Sequence, residues 1–182
     1  VNDPFSARVF KTISEEHIGE MSFFRVYSGK VNAGDDLRNT TRNNSEKMRQ
    51  IYFMNGNKRK DAAQLIAGDI GAALKLKNTH TGDTLSSPKS PILLPEIKYP
   101  TSNMSFAIKP KARGDEEKIA NGLAVMHEVD PTFFYRVDPE LKQTIISGQG
   151  ELHLDIALKQ ISERFHVELE KRTPKVPYRE TI

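Results

Sequence analysis

The stretch SGQGELHLDI, residues 147–156, places two glycines, a carboxylate and a histidine within ten positions. These residue types fit a glycine-rich turn around a phosphate, a histidine–glutamate acid–base pair, or a tight turn from a strand into a helix. Gly148 and Gly150 form only G-x-G, without the third glycine of a dinucleotide-binding loop. We therefore favour the tight turn, with an unusual φ angle at Gly148 and close helix packing at Gly150.

The sequence shows no other pattern that indicates a catalytic, cofactor-binding or metal site. Glu151 and His153 are two positions apart on a predicted helix, so they point to different faces and cannot form an adjacent acid–base pair. The chain contains no cysteine, which excludes disulfides, thiolate metal sites and thiol catalysis. It also lacks a P-loop, a G-x-S-x-G nucleophile elbow and zinc-ligand spacing among its histidines. Those histidines are His17, His80, His127, His153 and His166.

Two basic stretches could contact RNA phosphates. FFRVYSGK, residues 23–30, carries Arg25, Tyr27 and Lys30 near the solvent side of a predicted strand end. NGNKRK, residues 55–60, places Lys58, Arg59 and Lys60 in a predicted loop. An exposed barrel face explains the first stretch equally well, and charge alone favours a solvated loop tip for the second. A net charge of +3 permits RNA contact without requiring it.

The elements that would position these residues differ between the two halves of the chain. Before residue 90, short strand-like runs alternate with turn signals such as Asn55-Gly56-Asn57, which predicts a small β-barrel or sandwich. The first strand, FSARVFK, is expected to place Phe5, Ala7, Val9 and Lys11 on one side. Four prolines in residues 86–100 indicate a linker between two domains.

The second half has the order strand–helix–strand twice, at a shift of roughly forty residues. This order predicts an α+β ferredoxin-like domain, the split βαβ pattern with one antiparallel sheet. The second helix carries Leu154, Leu158, Ile161 and Phe165 on one stripe. The predicted elements are strands at 104–110, 133–138, 143–147 and 166–171, and helices at 115–131 and after Gly150.

The chain as a whole looks like a piece of a longer cytoplasmic protein. No apolar run approaches the ~18 residues that span a bilayer, and no signal segment opens the sequence. The first residues, VNDPF, lack an initiator methionine and lead directly into a strand.

Several motifs, in order along nearly the whole chain, resemble bacterial elongation factor G, the GTPase of ribosomal translocation. In the first half they are MSFFRVYSGKVNAGD (21–35) and AGDIGAALKLKNTHTGDTL (67–85). In the second half they are DPTF (130–133), QTIISGQGELHLDI (143–156), ERFHVELE (163–170) and PKVPYRETI (174–182). The resemblance implies a translation-protein β-barrel at 1–90, a proline-rich linker at 91–100, a ferredoxin-like third domain at 101–171 and the start of the next domain at 172–182.

The resemblance also implies a function. The fragment would be a ribosome-binding and signal-relaying module of a GTPase that drives tRNA and mRNA translocation, with GTP and Mg on a further domain and no cofactor of its own. Its partners would be small-subunit rRNA and protein and its own GTPase domain, with no membrane, and we expect a monomer. The implied rRNA contacts are Arg25, Tyr27, Ser28, Lys30, Lys58 and Arg59.

A second implied surface faces the GTPase domain and forms one wall of the fusidic-acid pocket of the family. Its residues are Asp130, Thr132, Gly148, Leu152 and His153. Gln149 replaces a usual methionine, Gln160 replaces a common arginine, and PTSN (100–103) lacks a second proline. Fusidic-acid sensitivity and the choice between housekeeping factor and paralogue therefore stay open. The alternatives are a ribosomal protection or release-factor GTPase with the same domains, and a stand-alone RNA-binding scaffold.

Overall fold

The computed structural model describes residues 3–15 and 19–176 and divides into two compact units. The first unit is Val1–Ile97 and the second is Lys98–Ile182. His17 and residues 177–182 of the last motif lie outside the described residues. Within the described residues, no helix is long and apolar enough to cross a membrane.

The first unit is all-β and forms the predicted barrel. Its strands are β1 Ser6–Glu15, β2 Gly19–Ser28, β3 Lys30–Asn32, β4 Asp36–Asn39, β5 Asn44–Lys47, β6 Ile51–Asn55, β7 Lys58–Ala62, β8 Gln64–Ile66, β9 Ile70–Leu74 and β10 Thr84–Ser86. Eight of them form an antiparallel sheet in the order β5-β4-β10-β1-β2-β9-β6-β7, and β3 pairs with β8. Side chains from β1, β2 and their neighbours, including the fully buried Val9, Phe24 and Val26, fill the core.

Strand β1 does not keep the simple alternation that its sequence predicts. Its register against β2 shifts between Val9 and Lys11, which leaves Phe10 as an extra residue. Such a β-bulge reverses which side chains point outward. Lys11 is therefore exposed and Thr12 is buried, so the expectation that Lys11 shares a side with Val9 was wrong.

The second unit has the predicted ferredoxin-like order. Its elements are β11 Met104–Pro110, α1 Glu116–Val129, β12 Phe134–Asp138, β13 Gln143–Gly148, α2 Glu151–Phe165 and β14 Leu169–Arg172. The four strands form an antiparallel sheet in the order β12-β13-β11-β14. The core joins the two helices to the sheet through residues such as Ile108, Leu123, Phe133, Leu154 and Ile161.

The ends of the two helices follow local chemistry. Helix α1 begins with Glu116 and Glu117, whose negative charges suit the positive end of the helix dipole. Helix α2 ends because His166 adopts a left-handed backbone conformation, with φ of 52°. The last strand therefore begins at Leu169, three residues later than the sequence predicted.

Candidate functional site

The stretch SGQGELHLDI forms the tight strand-to-helix turn that its sequence favours. Strand β13 ends at Gly148 and helix α2 begins at Glu151. A Cβ at Gly148 would lie 2.7 Å from Nδ1 of His153 and 2.8 Å from Cδ2 of Leu154, so this glycine permits a close approach. Gly150 is extended, with φ of 177°, and has nothing within 4 Å of a built Cβ. The predicted roles were wrong: Gly148, not Gly150, allows the close packing, and neither glycine is left-handed.

The imidazole of His153 is hydrogen-bonded at both ring nitrogens. The backbone N–H of Gln149 donates to Nδ1 at 3.0 Å, so Nδ1 carries no proton. In the neutral ring Nε2 then carries the hydrogen and donates it to Oδ2 of Asp130 at 2.8 Å. Because both nitrogens are occupied within the protein, this histidine is arranged for positioning rather than for proton exchange with a ligand.

Asp130 follows helix α1, and its carboxylate accepts two further hydrogen bonds. Its Oδ1 accepts hydrogen bonds from the backbone N–H of Thr132 at 2.8 Å and from the Thr132 hydroxyl at 2.7 Å. Burial acts to raise the pKa of this carboxyl, but the two Thr132 hydrogen bonds and the contact with His153 outweigh it and lower the pKa below 3.8. Asp130 is therefore held as a carboxylate that ties the end of α1 to the start of α2.

Four of the five residues of the implied GTPase-facing surface come together here. Asp130, Thr132, Gly148 and His153 form one connected corner. Leu152 takes no part in these hydrogen bonds, and its side chain is 74% exposed. The corner borders a shallow cavity of about 300 Å³, lined by Met126, Val129, Asp130, Pro131, His153, Ile156, Ala157 and Gln160.

The neighbouring polar residues have partners other than His153. Glu151 accepts a hydrogen bond from Nζ of Lys171 at 2.8 Å. The Gln149 side-chain amide donates to the backbone oxygens of Pro100 and Thr101, at 3.3 and 3.2 Å. No local pattern in the sequence indicates this second role of Gln149, because the contact joins residues almost fifty positions apart.

A second candidate surface lies on the barrel, where Arg25 and Tyr27 project from β2. Both side chains are exposed, and the Arg25 guanidinium lies 5.6 Å from the centre of the Tyr27 ring. Lys30 is also exposed but belongs to β3, beyond Gly29. The Ser28 hydroxyl instead donates to the Pro4 oxygen at 2.7 Å and lies 2.8 Å from the Ser6 hydroxyl, so protein groups occupy it.

The sequence predicted that Lys58 and Arg59 lie in a loop, and this prediction was wrong. They begin strand β7, directly after a turn at Gly56 and Asn57, because β6 and β7 pair up to Asn55 and Lys58. Both side chains are exposed, and the Arg59 guanidinium lies 5.8 Å from the centre of the Tyr52 ring.

A cavity of about 510 Å³ lies beside Arg25 and Tyr27, on the outer face of the barrel. Its remaining lining residues, which sequence reasoning missed, are Arg8, Phe10, Ile70, Leu94, Pro95 and Ile97. The cavity depends on a strap of chain, residues 94–97, which is hydrogen-bonded to Arg8 and Thr84 of the barrel, and this contact has no local sequence signal. The one sequence feature that indicated this cavity was Ile70, an apolar residue directly after a Gly-Asp turn, and its side chain is exposed.

Comparisons with known proteins match both units of the chain. A family model described as "Elongation factor G domain 2" matches residues 4–88, and one described as "Elongation Factor G, domain III" matches residues 99–173. A crystal structure of a protein from Thermus thermophilus is similar, with 28% sequence identity and a TM-score of 0.86 over 97% of this chain. The chain spans 27% of the length of that protein.

Proposed function

Because the chain belongs to the elongation factor G family, of which it carries the second and third domains in order, we propose that it binds the ribosome and relays the nucleotide state of a translocating GTPase. As an elongation-factor-G-like module it is part of the translation machinery. The observation that carries the proposal is the order of the two matched domains along one chain. On this proposal GTP and Mg bind a further domain, and no chemical step takes place on the residues described.

The barrel surface supplies the proposed ribosome contact. Arg25, Lys30, Lys58 and Arg59 are all exposed, and none of the four has an ion-pair partner among the described residues. Free cationic side chains of this kind pair with RNA phosphates and release counterions. The small-subunit rRNA is the proposed partner for this surface.

The corner around His153 supplies the proposed relay surface. Asp130 and His153 join the end of α1 to the start of α2, so a partner that moves either helix end would displace the other. The exposed Leu152 and the shallow cavity beside the corner offer an apolar contact to that partner. We propose the GTPase domain of the same protein for this role.

Binding of the chain to purified small ribosomal subunits tests the proposed contact. The affinity should fall with salt, and the variant Arg25→Gln/Lys30→Gln should bind more weakly and with a shallower dependence of log K on log salt, by about 0.7 to 0.9 per lost phosphate contact. The matched control is Lys77→Gln/Lys89→Gln, which removes the same charge from two other exposed positions of the first unit that have no ion-pair partner among the described residues. It should leave the affinity close to that of the unchanged chain.

The same preparation tests whether the chain occupies the ribosomal site of the complete factor. An excess of the chain should inhibit peptide synthesis by a complete elongation factor G, because both would occupy the same site on the ribosome. Absence of small-subunit binding at low salt would refute the proposal, as would tight binding of GTP to the chain in a calorimeter. Equal weakening by the control pair would show that the binding is non-specific.

A further inference from the structure

The cavity on the outer face of the barrel is built from three strands and one strap of chain. Arg8, Arg25 and Ile70 lie in one row across β1, β2 and β9, because Arg8 pairs with Arg25 and Arg25 pairs with Ile70. Leu94, Pro95 and Ile97 of the strap form the opposite wall. The open volume of about 510 Å³ falls within the range of small-molecule sites.

The strap is fixed to the barrel, so the cavity is preformed. The Arg8 guanidinium donates through Nη1 to the backbone oxygen of Gly82 at 2.6 Å and through Nη2 to that of Pro95. The backbone N–H of Leu94 donates to the Thr84 hydroxyl at 3.3 Å. A site that needs no ordering on binding loses less affinity to conformational entropy.

The cavity carries positive charge that no carboxylate of the described residues neutralises. Arg8 and Arg25 are direct cross-strand partners, an arrangement that is unfavourable for like charges unless something else compensates it. Neither arginine has an ion-pair partner in the described part of the chain, and the Arg8 contacts are to neutral carbonyls. Glu96, the acidic residue within the strap, is exposed and forms no ion pair with either. The charge favours an anionic ligand.

The cavity also exposes flat apolar surface. Tyr27 is 55% exposed, Ile70 53% and Phe10 40%, although side chains of this size are usually covered. Phe10 is the extra residue at the bulge in β1, and its side chain is exposed. The lining has no amide, carboxylate or serine or threonine hydroxyl that could read the edge of a base. Aromatic faces beside a free guanidinium therefore match a ligand with an aromatic ring and an anion.

We propose that this cavity receives an unpaired nucleotide of RNA, with its base against Tyr27 and Phe10 and its phosphate on Arg25. The choice of RNA rests on the proposed ribosome-binding function. Unpaired bases stack on aromatic side chains and on arginine planes, whereas paired bases in a duplex are not available for this contact. Because the lining has no amide, carboxylate or serine or threonine hydroxyl to read base edges, the cavity accepts any base.

Binding of RNA decamers to the full chain tests the proposal. Oligoadenylate and oligouridylate should both bind, and a ten-base-pair RNA duplex should bind far more weakly. The substitutions Tyr27→Ala and Phe10→Ala should each weaken decamer binding by about tenfold without changing its salt dependence, since they remove stacking but no charge. Tyr27→Phe, which keeps the ring, should retain the affinity.

The control is Phe134→Ala, which removes a similarly exposed ring from the second unit. Circular dichroism would check that every variant is folded. Decamer affinity that is insensitive to Phe10→Ala and Tyr27→Ala would overturn the proposal, and so would equal binding of duplex and single strands. Tighter binding of an acidic, tryptophan-containing peptide than of either decamer would also overturn it, in favour of a peptide site.

Small-subunit binding separates this inference from the function on which it rests. If the chain binds subunits and Phe10→Ala leaves that affinity and the decamer affinity unchanged, the ribosome contact stands and the nucleotide pocket falls. If the chain does not bind subunits but its decamer affinity depends on Phe10 and Tyr27, the pocket stands and its partner is another RNA.

Discussion

The imidazole of His153 is of a type often used in catalysis, but its contacts give it a structural role. Its two nitrogens face the Gln149 N–H and the Asp130 carboxylate, so the ring links two helix ends and has no free nitrogen. The sequence alone correctly separated His153 from Glu151 by their spacing, and Glu151 pairs with Lys171. The family resemblance only placed Asp130 and His153 on one surface, and their pairing across twenty-three residues was not predicted, because no local pattern encodes it.

Replacement of Asp130 by asparagine should destabilise the second unit by about 1 kcal/mol at neutral pH. An amide has only one acceptor oxygen, so its N–H₂ group must face a donor, either the His153 Nε2–H or the Thr132 groups. Urea unfolding of the second unit, followed by amide exchange in α1 and α2, measures the difference. The control Glu163→Gln removes an exposed carboxylate and should change stability by less than about 0.5 kcal/mol.

The effect of Asp130→Asn should also depend on pH. The folded state lowers the pKa of Asp130 below 3.8, so its stabilising contribution is complete above that value and is lost as pH falls through the lowered pKa. The stability difference between the unchanged chain and Asp130→Asn should therefore be fully developed at about pH 5 and shrink below about pH 4. A difference that is independent of pH down to about pH 2 would contradict this assignment.

Secondary-structure elements were predictable where a buried face imposes a period on the sequence. Strand β11 and helices α1 and α2 carry apolar residues at strand or helix spacing, and the structure has all three close to their predicted bounds. Strands β5 and β7, with the sequences NSEK and KRKDA, have no such pattern. Backbone pairing at the two edges of the sheet forms them, and their side chains contribute little to a core.

The packing of α1 against α2 depends on the missing side chain of Gly122. A Cβ there would lie 2.7 Å from Cγ2 of Ile161 and 3.2 Å from Cδ2 of Phe165. Gly122→Ala should therefore destabilise the second unit by about 1 kcal/mol, because overpacking outweighs the gain in helix propensity, which is also about 1 kcal/mol. Thermal or urea unfolding measures the change.

A double mutant tests whether the Gly122→Ala effect arises at Ile161. The combination with Ile161→Ala should cost less than the sum of the two single changes, since the new methyl group would occupy part of the space left by Ile161. Asn121→Ala, at an exposed position of the same helix, should be neutral or stabilising. Additive effects of the two changes would place the strain elsewhere.

At the scale of the whole molecule, the chain has two separate hydrophobic cores. One cluster contains residues of the first unit only, and the other contains residues of the second unit only. The sequence predicted this organisation because its patterning changes from short strands to alternating strands and helices across a proline-rich stretch. It could not predict that residues 94–97 line a cavity on the first unit, since Arg8 creates that contact from 87 residues away.

Core substitutions should act within one unit at a time. Phe24→Leu in the barrel and Phe133→Leu in the second unit each replace a fully buried ring, and each should cost about 1 to 2 kcal/mol. Hydrogen exchange measured by mass spectrometry should show faster exchange only in the unit that carries the change. Faster exchange throughout the chain after either substitution would show that the two cores unfold as one.

Gln149 connects the beginning of the second unit to the turn before α2. Its side chain binds the backbone at Pro100 and Thr101, while its own N–H holds the imidazole of His153. A displacement of the chain at Pro100 or Thr101 would therefore be passed to the turn before α2 and to the imidazole of His153. A movement of the backbone at Thr101 would in this way change the orientation of the His153 ring on the proposed relay surface.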